Sequence, residues 1–129
     1  MSKTGFIELN VKRKSVRIHL CGDTFTFKRI RPLLDDADDY LTAQATVLNS
    51  VGRDEYKVIF DRDADTCEYP INDAATAVTG HYRLRNVRGG AIIAKELAPG
   101  IFAGIDLNTC HKIKKLFDLR EEIVNSEKT

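Results

Sequence analysis

Apolar and polar residues alternate along the first quarter of the chain, through Ile7, Leu9 and Val11, then Val16, Ile18 and Leu20, then Phe25 and Phe27. A period of two marks strands that bury one face. Two candidate turns set the register. A two-residue loop at Gly22 and Asp23, with Gly22 supplying the positive φ of a type II′ turn, puts Leu20 opposite Phe25 and Ile18 opposite Phe27. A four-residue loop from Lys12 to Ser15 puts Val11 opposite Val16, Leu9 opposite Ile18 and Ile7 opposite Leu20. Both turns gather all these apolar residues on one face, with Ile18 at its centre.

After Pro32 the period changes. Leu34, Ala37, Leu41, Ala45 and Leu48 recur at helical spacing, which predicts a helix from about 33 to 50 that stops before Gly52. Alternation returns at Tyr56, Val58 and Phe60, before a turn at DRDADT and a short run, CEYPI. HYRLRNV, GGAIIAKE and GIFAGIDL read as three more strands, separated at Gly89-Gly90 and Pro99-Gly100. Asn108 or Thr109 then caps a last helix, from about 109 to 125, whose apolar stripe is Cys110, Ile113, Leu116, Phe117, Ile123 and Val124. The elements predict an α+β fold in a single domain spanning residues 1–129: a mainly antiparallel sheet of about eight short strands with two packed helices, about 33–50 and 109–125.

Composition adds exclusions. With 43% hydrophobic residues and three prolines the chain is neither disordered nor collagen-like. No stretch approaches the roughly 18 consecutive apolar residues that span a bilayer, and the opening MSKTGFIEL lacks a signal-like apolar run, so the expected location is the cytoplasm or a virion or other assembly. Cys21, Cys67 and Cys110 are odd in number and widely spread, which suits a reducing compartment better than a disulfide framework.

Charge changes the picture more. The net value of +1 hides a strong asymmetry: residues 1–33 carry eight Lys or Arg against two acids, residues 34–75 three against eleven, and residues 76–129 nine against six. Lys12, Arg13, Lys14, Arg17, Lys28, Arg83 and Arg85 are the candidate basic face, with Arg17 and Lys28 pointing away from the apolar side of their strands. Asp35, Asp36, Asp38 and Asp39, in the first turns of the predicted helix where its dipole favours carboxylates, join Asp61, Asp63 and Asp65 as the acidic segment. Such asymmetry bears on partners and association rather than on fold.

Candidate chemistry is thin. Asp61, Asp63 and Asp65 fit the first ligand spacings of a calcium loop, but Thr66 stands where its glycine belongs and Asn72 where its glutamate belongs, so the stretch reads as a solvated turn. His19, Cys21, Cys67, Cys110 and His111 lack the close pairing of a zinc site. Cys110 near a helix start, with His81 as base, is the one nucleophile candidate, yet it lies on the apolar stripe and reads as a core thiol. VRGGA lacks the context of a phosphate-binding loop. No cofactor or metal is expected, and the balance is against an enzyme. The expectation is a binding or assembly module, a structural component of a larger viral or cellular assembly, meeting a protein partner or copies of itself through charge-complementary surfaces. The alternative is a nucleic-acid-binding protein using a basic sheet face.

Overall fold

The run Ala91-Ile92-Ile93-Ala94 has no polar position to turn toward water, and it lies in the middle of the sheet. The computed structural model describes residues 3–11, 15–45, 56–64, 66–78 and 86–127, with the side chains of the last helix described as far as Phe117. Strands β1 (Thr4–Asn10), β2 (Ser15–Cys21) and β3 (Thr24–Thr26) lead into a single helical turn, α1 (Phe27–Ile30), and a 3-10 turn (Arg31–Leu34). Then come β4 (Tyr40–Gln44), β5 (Tyr56–Asp61), helix α2 (Asp73–Val78), β6 (Ala91–Ala98), β7 (Ile101–Ala103), β8 (Ile105–Asp106) and helix α3 (Leu107–Glu127). The fold is α+β, an eight-stranded antiparallel sheet nearly closed into a barrel.

The main path runs β2-β1-β6-β5-β4. One edge of β6 pairs with β5; the other pairs with β1 at Ala91–Ile93 and, beyond it, with β7 at Lys95–Ala98. β3 adds to β7, and β8 adds to β1. The chain steps from β7 to β8 at Gly104, where a Cβ would stand 2.7 Å from the Cys21 Sγ and 2.8 Å from Thr4. Only glycine fits that crossing without displacing β1 or β2.

Two cores follow from the two apolar faces of β6. Ala91 and Ile93 join Ile7, Leu9, Val58 and Phe60 on the face covered by α2 and α3, which contributes Cys110 and Ile113. Ile92 and Ala94 join Phe6, Ile59, Phe25 and Phe102 on the other, closed over by Ile30 and Leu34. Buried Asn72 ties the first core together: its Nδ2 donates to the carbonyls of Leu9 (2.8 Å) and Gly89 (2.9 Å), and its Oδ1 accepts the Ala75 N–H at the start of α2. Helix α3 is capped by Asp106, whose Oδ2 accepts the Thr109 N–H at 3.3 Å, slightly earlier than the cap expected at Asn108 or Thr109.

The structure corrects four expectations. No helix occupies 33–45: the 3-10 turn ends where Asp35 and Asp36 adopt left-handed φ of 59° and 57°, and Tyr40–Gln44 is a strand. The stripe that looked helical is divided between the two cores, Leu34 and Ala37 in one and Leu41 and Ala45 in the other, while residues 46–50 and Gly52 lie outside the described residues. The β1–β2 register pairs Leu9 with Val16 and Ile7 with Ile18, a slip of two from the expected pairs; it keeps the same face inward but ends the ladder at Asn10 and Ser15. Gly22 and Asp23 make no hairpin, because β3 pairs with β7; Phe25 and Phe27 therefore join the opposite core, and Leu20 is 57% exposed. CEYPI is a turn followed by a single bridge from Ile71 to Arg88, and most of HYRLRNV lies outside the described residues.

Central position now ranks the core differently. Ile93→Ala should lower stability by about 2 to 5 kcal/mol in denaturant unfolding, as for other fully buried aliphatic truncations. Half-buried Ile18, at the margin of the same core, should cost about 1 kcal/mol as alanine, and exposed Arg17 about 0.5 kcal/mol or less. Equal losses at Ile93 and Ile18 would contradict this ordering.

Candidate functional site

A cleft of about 450 Å³ opens between the polar end of the β1–β2 pair, the 3-10 turn and the turns at 69–70 and 89–90. At its floor Glu8, with a side chain only 6% exposed, accepts from His19 Nε2 at 2.8 Å through one oxygen and from Asn10 Nδ2 at 3.2 Å through the other. His19 is held flat against Phe6, with ring centroids 4.9 Å apart and planes within 7°. Asp35 closes the far wall, its Oδ2 accepting the Gly90 N–H at 2.9 Å. A Cβ on Gly90 would collide with the Leu33 carbonyl, so glycine lets this turn seat against the 3-10 turn. Among the described residues the lining holds carboxylates, an imidazole and the Arg17 guanidinium, but no serine, threonine or cysteine that could act as a nucleophile.

The basic residues do not converge as expected. Arg17 is exposed on β2 at the lip of this cleft, opposite Glu8 in register. Lys28 is exposed on α1 rather than on a strand, and Lys12, Arg13, Lys14, Arg83 and Arg85 lie outside the described residues. The acidic residues are better placed but for reasons other than a helix dipole. Asp39 accepts from the Tyr40 N–H (2.8 Å) and from Arg62 Nη1 (3.0 Å), which together hold its carboxyl below the usual range. Asp38 is exposed beside Arg31, and Asp36 and Asp63 are also exposed. Asp61 is buried, accepts the Asp63 N–H at 2.9 Å, and has its carboxyl pushed up by burial. Asp65 lies outside the described residues.

The other candidates fare as follows. Cys110 is fully buried, its thiol donating toward the carbonyls of Gly5 and Ile105 at 3.6 Å, and burial pushes it up to about 11, the reverse of an activated nucleophile. His81 lies outside the described residues. Among the described residues no three His, Cys, Asp or Glu side chains converge as metal ligands, and no helix is long and apolar enough to cross a membrane.

The feature that sequence reasoning missed is the pair of open sheet edges. Among the described residues nothing pairs with the outer side of β4 or of β2, the two ends of the main path. The Ala45 N–H donates to Tyr56 and the Arg62 N–H to Asp39, so by antiparallel alternation Thr42 and Gln44 aim their N–H and C=O groups away from the sheet. On β2 the Leu20 carbonyl is met from outside by Arg29 at 2.9 Å, which makes Val16, Ile18 and Leu20 the outward residues there. Burial is graded to match: Ile7, Leu9, Val58 and Phe60 on inner strands are buried, whereas Val16, Ile18, Leu41 and Ala43 at the edges are half-buried. A groove of about 560 Å³ runs beside β4, lined by Phe27, Tyr40, Thr42 and Pro99 together with the carboxylates Asp39 and Glu96. Glu96 accepts the Tyr40 hydroxyl at 2.8 Å, and that hydroxyl accepts the Gly100 N–H at 2.6 Å.

No protein-family model, curated protein or solved structure matches the chain.

Thiol chemistry gives a direct check on the site. In the native protein at about pH 8 a thiol reagent should label exposed Cys67 at once, Cys21 more slowly, and Cys110 only after unfolding. Because Cys110 holds its proton more tightly when folded, its contribution to stability is present below about pH 9 and is lost as pH rises toward about 11. Rapid native labelling of Cys110 would contradict its position.

Proposed function

We propose that the protein is a non-catalytic assembly module, a structural component that joins copies of itself through charge-complementary surfaces at opposite ends of its sheet. The observation that carries this reading is the strand order. One end strand, β2, directly follows Lys12, Arg13 and Lys14 in sequence and bears Arg17; the other, β4, directly follows Asp35, Asp36, Asp38 and Asp39 and pairs with the strand that ends in Asp61. Opposite charge at opposite ends is the arrangement that lets one copy attract the next head to tail, and a contact of that kind builds rings or filaments. Repeated assemblies in the cytoplasm or in a virion suit it.

Light scattering across a salt series tests the proposal. Mass should exceed that of a monomer at about 50 mM salt and fall by about 500 mM, as screening shortens the reach of the charges. Lys12→Glu, Arg13→Glu and Lys14→Glu combined should abolish association and leave the thermal unfolding transition in place. A combined variant that assembles as the parent does, while the parent binds oligonucleotides with a steep salt dependence, would replace this reading with the nucleic-acid one.

A further inference from the structure

We infer that the contact is a parallel strand pairing: the open edge of β4 on one copy receives the open edge of β2 from a second copy, continuing one sheet across the two. The inference rests on the assembly reading above and names its surfaces. Thr42 and Gln44 offer outward N–H and C=O groups on one edge; Val16, Ile18 and Leu20 offer them on the other, where only the Leu20 carbonyl has a partner among the described residues. Main-chain pairing supplies affinity in such joints, and side chains select the partner.

The side chains select β2. A strand added beside β4 must present apolar residues on the face of Leu41 and Ala43, which are half-buried for want of a neighbour. On its other face a cation would be favoured beside the groove, where two carboxylates, Asp39 and Glu96, share one cation, Arg62, among the described residues. β2 has this pattern: Val16 and Ile18 lie on the face shared with Leu41 and Ala43, and Arg17 lies on the opposite face with an exposed guanidinium. β4 itself, Tyr-Leu-Thr-Ala-Gln, carries no cation, so a second β4 added there would bring none to that groove. The joint is short, three outward residues on each edge with the Tyr40 N–H already held by Asp39, so its strength depends on the charges that flank it and therefore on salt.

Proline at an outward position removes an edge N–H without breaking a bond inside the sheet. Thr42→Pro blocks the β4 edge and Leu20→Pro, at an exposed residue, blocks the β2 edge. Each variant alone should run at monomer mass at a concentration where the parent associates, and an equal mixture should form a one-to-one dimer that grows no further. A Leu20→Pro variant that still dimerises while Thr42→Pro is monomeric would overturn the inference in favour of β4 meeting β4. Proline variants that both assemble like the parent would overturn it and leave the assembly reading standing; a parent that is monomeric at every salt concentration would end both. If either proline variant fails to unfold cooperatively, Thr42→Lys and Arg17→Glu carry the test: each alone should lose association, and mixing them, which sets Glu against Lys, should restore it. Absence of recovery on mixing would overturn the pairing.

Discussion

The structure depends on one constraint, the burial of β6 on both faces. A strand with alternating polar residues needs cover on one side only; Ala91-Ile92-Ile93-Ala94 needs it on two, and each face recruits its own core. Every other strand pairs with β6 or with a strand that does. Helix α3 therefore lies on one side of the sheet and the α1 and 3-10 turns on the other, and the polar cleft at Glu8 forms where the second core runs out, between β1 and the turn that covers it.

Much of this was legible where the signal is local. The strands β1, β2 and β5, the glycine turns that bound β6 and β7, and the stripe of α3 at Cys110 and Ile113 lie where the residues suggested, although β1 and β5 are buried on both faces rather than one. Failure came where a distant partner decides. The spacing of Leu34, Ala37, Leu41 and Ala45 suits a helix, but Asp35 is anchored to the Gly90 N–H, and the chain turns through left-handed residues to reach β5. Phe25 likewise follows β7 rather than its sequence neighbour, and packs between Phe6 and Phe102 with ring centroids 5.0 and 5.7 Å away. Neither partner is visible within a window of ten or fifteen residues.

The candidate surfaces show the same division. Uneven charge is plain in the composition of successive segments, whereas its meaning depends on strand order, and strand order comes from pairings between remote parts of the chain. The Glu8–His19 pair has a local signal: a glutamate inside the apolar run Phe6-Ile7-Glu8-Leu9 must face the side opposite Ile7 and Leu9. That side is not solvent, since the second face of the sheet is also a core.

The pairing of β1 with strands from the far end of the chain bears on how the molecule is made. Its outer partner β2 follows within a few residues, but β6 and β8, which fill its other edge, are synthesised only after β5. Contacts of such long sequence separation close slowly, because the intervening chain must be ordered before they form. During translation the β1–β2 pair and the β4–β5 pair each emerge without the strand that joins them, with Ile7, Leu9, Val58 and Phe60 uncovered. Until Ala91–Ala98 has left the ribosome these two pairs are exposed to proteases, to chaperones and to one another on neighbouring nascent chains.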